Sequence, residues 1–149
     1  MNRTILTFGV LLLLVVSNPI TTIKKLPTTK LKINNASFTV ELARSPKEQQ
    51  TGLSGRNSLG EKEGMLFVFE RPGYHAFWMH GMKIPLDMIF IYKNKVVSIY
   101  QNLPPPASST DTNLTLYGSG VISDLVLEVK AGTSKKYNIE NGDTVHVNL

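Results

Sequence analysis

The sequence predicts a single, mainly β domain: an antiparallel β-sandwich or a partly closed barrel with one or two short helices, behind an N-terminal apolar leader helix. Three observations lead to this prediction. Short apolar or alternating runs recur along most of the 149-residue chain, turn-forming residues separate them, and the clearest helix-start pattern lies near the beginning of the domain. A chain of this length is also the size of one ordinary domain.

The first residues have the composition of a signal peptide or a membrane anchor. Residues 1–17 contain Arg3, followed by an uncharged apolar run at 8–16. This run is short for a membrane-spanning helix, which needs about 20 apolar residues. A signal peptide fits its length, with Ser17 as a small residue at the cleavage position, and an uncleaved anchor is the alternative.

The next residues divide the chain into a linker and a domain. Residues 18–30 are rich in Thr, Pro and Lys without a sustained period, which predicts a linker, and residues 31–149 are predicted to form the single β-rich domain. We therefore expect an exported protein, periplasmic, extracellular or anchored to the outer face of the cytoplasmic membrane. Contact with the membrane is expected only through the N-terminal segment.

Composition excludes several functional classes. The chain has no cysteine, which rules out disulfides, thiolate metal ligands, a cysteine nucleophile and a lipid-modified cysteine. The net charge is +5 and the pI is about 9.5, but the basic residues are spread along the chain. We therefore expect no nucleic-acid partner, and interpret the charge as a mildly basic surface near anionic lipid or polymer.

The first half of the domain begins with a hairpin, a helix and a buried strand. Residues 31–42 alternate on both sides of an Asn-Asn pair, which predicts a hairpin. Ser45 and Pro46 predict a helix from Pro46 to about Leu53, because serine is a good N-cap and proline is favoured at the first helical position. Residues 64–70 are almost continuously apolar, which predicts a strand buried on both faces.

The second half reads as strands separated by turns and loops. Residues 75–80 predict a short aromatic strand, and residues 86–92 and 96–103 predict a hairpin closed by the tight turn KNK. Three prolines then open a polar loop over 104–113. Further strand signals follow from position 114 to 129, one helical turn is expected within 131–143, and the chain ends in a strand.

Four segments in the same order resemble a known family. They are GLSGR at 52–56, EGMLFVFE at 63–70, FWMHGMKIPLDMIFI at 77–91 and VLEVKAGTSKKYNIENGDTVHV at 126–147. Together they resemble the uncharacterised prokaryotic family known as domain of unknown function 192, over about residues 38–147. The resemblance implies a compact β-rich domain, often behind a signal peptide or anchor, with no established activity.

The chain keeps several positions of the family pattern and departs from it at one place. The positions that match are Glu63, Trp78, Met79, Pro85, Asp87 and Glu128. Where family members commonly have a basic residue, Asn and Thr after FWM, this chain has His80, Gly81 and Met82. Any role of that Asn-Thr pair is therefore in doubt here.

Four residues are candidates for a ligand-binding site: Glu63, Trp78, Asp87 and Glu128. We predict that they line one concave surface and bind a small polar ligand such as a sugar or glycan fragment. Trp78 would be a stacking platform and the carboxylates would accept hydrogen bonds. The alternative is that these residues only stabilise the fold. Trp78 would then pack in the core, Asp87 would accept backbone hydrogen bonds from the loop at 81–85, and Glu128 would pair with Lys or Arg.

The preferred hypothesis is an exported or membrane-tethered module that binds a small ligand or associates with the cell envelope, without a cofactor. One alternative is a hydrolase that uses Glu63, Asp87 or Glu128, which requires one carboxyl group to stay protonated near neutral pH. The other is a copper-binding protein. Its soft ligands would be His75, Met79, His80 and Met82.

Overall fold

The computed structural model describes residues 26–108 and 115–149, which form a mainly β fold with two short helices. The leader predicted at 1–17 lies outside the described residues. The first strand begins at Thr28, inside the linker predicted over 18–30. The elements are β1 (Thr28–Ile33), β2 (Ala36–Ala43), α1 (Pro46–Thr51), β3 (Glu63–Gly73), β4 (Ala76–Phe77), β5 (Leu86–Tyr92), β6 (Lys95–Leu103), β7 (Tyr117–Gly118), β8 (Ser123–Lys130), α2 (Thr133–Lys136) and β9 (Val145–Val147).

Seven strands form one curled mixed sheet in the order β6-β5-β8-β3-β2-β1-β9, and β4 pairs with β7 in a separate ribbon. The pairing of β2 with β3 is parallel, and the other pairs are antiparallel. The prediction of an antiparallel sheet is therefore wrong at this pair. The connection that carries α1 and a loop gives the chain enough length to cross over and return in the same direction.

The sheet curls into a half-barrel, and its two edges approach each other at one end. Lys95 at the start of β6 bridges Thr144, just before β9. The N–H of Val96 donates to the carbonyl of Asp143 at 3.0 Å, and the N–H of Gly142 donates to the carbonyl of Val96 at 2.8 Å. This arrangement corresponds to the partly closed barrel, and the sandwich alternative is not confirmed.

Both predicted hairpins are confirmed. In the first, Ile33 pairs with Ala36 across a two-residue turn in which Asn34 has a φ of 52°. In the second, Lys93 and Asn94 have φ values of 47° and 59°, which gives a type I′ turn between β5 and β6. Local turn chemistry therefore sets the register of both hairpins.

The helix α1 starts where the sequence predicts and ends earlier. The N–H of Glu48 donates to the Ser45 hydroxyl, and the Glu48 carboxylate accepts from the N–H of Ser45, which makes a capping box. The helix ends at Thr51, before the predicted Leu53, because Gly52 takes a positive φ of 49°.

Two of the predicted strands are much shorter than expected. Of residues 75–80, only Ala76 and Phe77 are in a strand, and of the signals at 114–120, only Tyr117 and Gly118 are. Part of the predicted loop at 104–113 lies outside the described residues. In the part of the chain that the structure describes, no helix is both long and apolar enough to span a membrane.

The two faces of the sheet bury two separate apolar clusters. The inner face, enclosed by the curl, receives buried side chains from all seven strands: Leu31, Phe38, Leu66, Ile89, Val96, Leu127 and Val145. The outer face belongs mainly to the central strands β3, β5 and β8, with buried side chains at Met65, Phe67, Met88, Phe90 and Val126. The three central strands are thus buried on both faces. This confirms the prediction for residues 64–67, whereas Val68 and Phe69 are half-buried and Glu70 is exposed.

Loops rather than strands cover the outer face. Leu53 and Leu59 from the segment after α1, and Met79 and Met82 from the segment before β5, are buried against it. The two segments contact each other through a hydrogen bond from the N–H of Gly55 to the carbonyl of Gly81, at 2.9 Å. Where this cover is incomplete, the outer face opens into a cavity.

Candidate functional site

A cavity of about 360 Å³ lies between the outer face and its loop cover. Its lining comes from residues 49–53, from Phe67 and Phe69 of β3, from residues between 74 and 82, and from Glu128 of β8. This volume lies at the lower end of the range for small-molecule sites, about 300–1,000 Å³. The cavity is therefore large enough for a small ligand.

Glu128 is the acidic residue of this cavity, and it lies on an otherwise apolar face. Its cross-strand neighbours are Met65 on β3 and Met88 on β5, both buried in the outer-face cluster. Directly paired residues in a sheet point to the same side, so the Glu128 side chain also points to the outer face. The carboxyl group therefore lies between two methionines, with 5% of the residue exposed.

The burial of Glu128 changes its protonation. Desolvation raises the pKa of its carboxyl from 4.5 to about 8, and no charge or hydrogen bond from the described residues offsets the effect. Near neutral pH, Glu128 is therefore mostly a neutral carboxylic acid, which can both donate and accept a hydrogen bond. The structure therefore does not show, among the described residues, the Lys or Arg partner that the sequence suggested for Glu128.

Aromatic rings form the wall of the cavity. Phe77, held in the β4–β7 ribbon, packs edge to face on Phe67 and Phe69, with ring centroids 4.9 and 6.3 Å apart. Tyr100 fixes the ribbon to the main sheet, since its hydroxyl donates to the carbonyl of Gly118 at 2.7 Å. The ribbon is short, but it places the Phe77 ring on the cavity.

Exposed aromatic residues form the rim. Trp78, the single tryptophan of the chain, is 52% exposed, and Tyr74 is 75% exposed. The His80 ring lies beside Trp78, with centroids 5.6 Å apart. Large aromatic side chains that line a cavity and still face solvent are available for stacking on a ligand.

A tight turn brings His80 and Met82 to the cavity. The N–H of Met82 donates to the carbonyl of Met79 at 3.1 Å, and Gly81 has a φ of 67°. Glycine is favoured there because other residues rarely adopt positive φ, and a Cβ at Gly81 would collide with the Ser54 hydroxyl. The departure from the family pattern at 80–82 therefore builds part of the rim.

His75 contributes a second buried polar group. Its ring stacks on Phe69, with centroids 3.5 Å apart and an interplanar angle of 10°. Burial lowers the pKa of the imidazole, and a backbone hydrogen bond with Ser123 opposes that shift. Its Nε2 atom is buried and has no hydrogen-bond partner in the described part of the chain. His75 is thus mainly neutral at neutral pH.

The structure does not bring the four candidate ligand residues together. Trp78 and Glu128 line the cavity, whereas Glu63 and Asp87 do not. Glu63 is exposed, and its carboxylate accepts from the N–H of Gly60 at 3.0 Å. Glu63 therefore closes a turn at the start of β3.

Asp87 is fully buried and belongs to the inner side of the sheet. It pairs with Val129, an inner-face residue, whereas Glu128 pairs with the next residue of β5. Its carboxylate accepts backbone hydrogen bonds from Asn102 (2.8 Å), Gly132 (3.0 Å) and Ser134 (2.7 Å). It thus fixes the end of β6 and the start of α2, not the loop at 81–85.

The four candidate copper ligands are also divided. His75, His80 and Met82 line the cavity, and Met79 is buried in the outer-face cluster. Residues 26–108 and 115–149 contain no cluster of three His, Asp or Glu side chains that could hold a metal ion.

Sequence reasoning missed the polar lining from α1. Gln49 and Gln50 lie on the cavity, and the Gln49 amide donates to the carbonyl of Val68 at 2.9 Å, which ties the helix to β3. Two consecutive glutamines on a short helix give no signal of their own, because solvent-exposed helices commonly carry such residues.

The family model of domain of unknown function 192, described as "Uncharacterized ACR", matches residues 29–147. The chain belongs to this family. The described strands from β1 to β9 lie almost wholly within the matched range, so the family and the half-barrel have the same extent.

Two solved structures are similar to this member of the family. One is of a candidate transcription regulator from Sinorhizobium meliloti, 28% identical, with a TM-score of 0.75, covering 83% of this chain and 95% of that one. The other is of a protein of unknown function from Novosphingobium aromaticivorans, 31% identical, with a TM-score of 0.75, covering 83% of this chain and 88% of that one. None of the curated proteins matches the chain.

Proposed function

We propose that the chain is a binding module for a small polar ligand of the glycan class, held in the cavity between Trp78 and Glu128. One observation supports this most directly: a half-exposed tryptophan and a buried carboxylic acid line the same cavity. A sugar presents an apolar ring face together with hydroxyl groups. The cavity has an aromatic surface for the first and hydrogen-bonding groups for the second.

The polar groups are few and come from different elements. The amides of Gln49 and Gln50 on α1, the carboxyl of Glu128 and the imidazole of His80 line the same space as the aromatic rings. A mostly apolar cavity with a small number of polar groups is typical of sites that fix the orientation of a ligand. This supports binding more than it supports a reaction.

The proposed location follows from the N-terminal sequence. We propose that residues 1–17 export the domain or anchor it, so that the cavity meets envelope or extracellular glycans. Fractionation of the native host, followed by N-terminal sequencing, tests this step. Recovery of the chain in the cytosol with its first residues intact would contradict it.

Trp78 makes the binding proposal testable without a label. Because it is the single tryptophan, the intrinsic fluorescence of the full-length chain in mild detergent reports on the rim. Titration with mono- and oligosaccharides of glucose, galactose, mannose and N-acetylglucosamine should give a saturable change in fluorescence for at least one of them. Absence of any saturable change at millimolar concentrations would overturn the proposal.

Calorimetry with variants locates the binding. Trp78→Ala is expected to weaken the affinity at least tenfold, because it removes the stacking surface. Leu116→Ala is the matched control, since Leu116 is 66% exposed and does not line the cavity. Equal losses in both variants would place the ligand elsewhere.

The raised pKa of Glu128 favours one second candidate, a hydrolase that uses this residue as general acid. The usual glycosidase mechanism needs a second carboxylate, and Glu128 is the one acidic residue that lines the cavity in the described part of the chain. Product release from an oligosaccharide by the wild-type chain, lost in Glu128→Gln, would establish the activity. If the oligosaccharide stays intact after prolonged incubation, hydrolysis is excluded and binding remains as the proposed function.

A further inference from the structure

We infer that the ligand carries a protonated amine, and that its ammonium group lies beside the carboxylate of Glu128 within the aromatic part of the cavity. This inference rests on the proposed function, because it names the ligand class of the same cavity. Two sources share this chemistry, an amino sugar and an aliphatic amine.

The first argument is that the cavity has an acid without a base to neutralise it. The titratable side chains that line it are Tyr74, His75, His80 and Glu128, with no lysine or arginine among the lining residues. Met65 and Met88 flank Glu128 on the sheet and supply no charge. An ionised Glu128 thus needs a cation that the described lining residues do not supply, because an uncompensated buried charge is unstable.

The two histidines of the cavity do not supply a cation to compensate an ionised Glu128. Burial lowers the pKa of His75, so its imidazole is mainly neutral at the pH at which Glu128 begins to ionise. His80 is exposed at the rim beside Trp78, whereas Glu128 is buried.

The second argument is the aromatic lining. Phe67, Phe69, Phe77 and Trp78 line the same cavity as Glu128. Aromatic faces attract cations, and the attraction increases when the cation loses water. A carboxylate together with several rings favours an ammonium group over a neutral hydroxyl group.

Proton release gives a quantitative consequence. With a pKa of about 8, Glu128 is protonated in roughly nine of ten molecules at pH 7. Binding of an ammonium group to the carboxylate therefore releases close to one proton. The affinity should fall about tenfold for each pH unit below 8, provided that the amine stays protonated.

The experiment is isothermal titration calorimetry on the full-length chain with matched ligands. Glucosamine is compared with glucose and N-acetylglucosamine, and n-butylamine with n-butanol, at pH 7 in two buffers of different ionisation enthalpy. The amine of at least one set should bind at least tenfold more tightly than its neutral partners and release about one proton. A preference within the sugar set identifies an amino sugar. A preference within the butyl set alone identifies an aliphatic amine and overturns the glycan class of the proposed function.

Two variants separate the outcomes. Glu128→Gln should abolish the preference for the amine and the proton release, because an amide carries no negative charge and does not ionise. Glu70→Gln removes an exposed carboxylate and should change neither. Neutral sugars that bind as well as amines would overturn the inference and leave the proposed function standing. If no ligand of either set binds, the inference is overturned, and the proposed function is overturned as well when galactose and mannose also fail to bind.

Discussion

Asp87 and Glu128 lie on adjacent strands and are both buried, but their side chains point to opposite faces of the sheet. Asp87, on the inner side, accepts three backbone hydrogen bonds. Glu128, on the outer face, lies between two methionines and lines a cavity. The difference shows that burial alone does not define a role: the fold supplies hydrogen-bond donors to one carboxyl group, and the other lines a cavity.

The physical reason lies in what covers each face. All seven strands close around the inner face, and the polar group there is satisfied by the chain. The outer face is covered by two loops that leave a gap of about 360 Å³. Loops positioned by a rigid sheet commonly carry binding residues, so the outer face is where we place function.

The largest effect on stability is expected from removing the carboxylate of Asp87, which accepts three backbone hydrogen bonds. Asp87→Ala leaves the N–H groups of Asn102, Gly132 and Ser134 without their acceptor, and each costs about 1–3 kcal/mol. The free energy of unfolding should fall by at least about 3 kcal/mol in urea denaturation. Asp87→Asn keeps one acceptor oxygen, so its free energy of unfolding should lie between those of Asp87→Ala and the wild type. A loss below about 1 kcal/mol would show that this acid is dispensable.

The next effect is a pH dependence from Glu128. The ordinary pKa of 4.5 applies to the unfolded chain and about 8 to the folded chain, so the unfolded chain loses its proton first as pH rises. The contribution of Glu128 to stability is complete below pH 4.5 and falls between pH 4.5 and 8, by on the order of a few kcal/mol.

The pH dependence is checked by urea denaturation of three chains over this pH range. Glu128→Gln should remove this component of the pH dependence, because an amide does not ionise. Glu70→Gln should keep it, since Glu70 is exposed. If Glu128→Gln and the wild-type chain lose stability equally as pH rises, the carboxyl group is solvated and the comparison of the two faces is wrong.

A smaller effect concerns the cover of the outer face. Gly81→Ala introduces both a strained positive φ and a collision with Ser54, and should cost about 2 kcal/mol in thermal or urea unfolding. Gly55→Ala is the matched control, because its φ is 78° but a Cβ there would meet no atom within 4 Å. Equal losses would mean that strain alone matters and that the two loops do not pack tightly.

The smallest effect on stability is expected from Trp78. Because Trp78 is 52% exposed, Trp78→Ala should change the free energy of unfolding by less than about 1 kcal/mol. Phe67→Ala, at a buried cavity-wall residue, should cost about 3–5 kcal/mol by the same measurement. A loss of more than about 2 kcal/mol in Trp78→Ala would make the residue structural and weaken the proposed rim.

The sequence was sufficient where neighbouring residues decide the structure. Ser45 and Glu48 cap α1, Asn34 forms the first hairpin turn, and Lys93 with Asn94 forms the second. It was insufficient for the parallel pairing of β2 with β3, because the direction of a strand after a long connection depends on which edge it meets.

The site shows the same limit. Trp78 and Glu128 were proposed from the sequence, but Glu128 between Leu127 and Val129 reads as a polar face of a strand. Loops distant in sequence cover that face and bury it. The sequence also allows an acceptor role for Asp87, yet its donors lie 15, 45 and 47 residues away. No local pattern predicts such partners.

The sequence by itself determined the family, the β-rich class, the hairpins and the helix cap, because these depend on residue type and on contacts between near neighbours. Tertiary structure alone decided which buried carboxyl group is satisfied and which faces a cavity. Cross-strand register assigned Asp87 and Glu128 to opposite faces, and the packing of two loops determined how far the outer face is buried. Burial, and hence the protonation of Glu128, arises only when those distant segments meet.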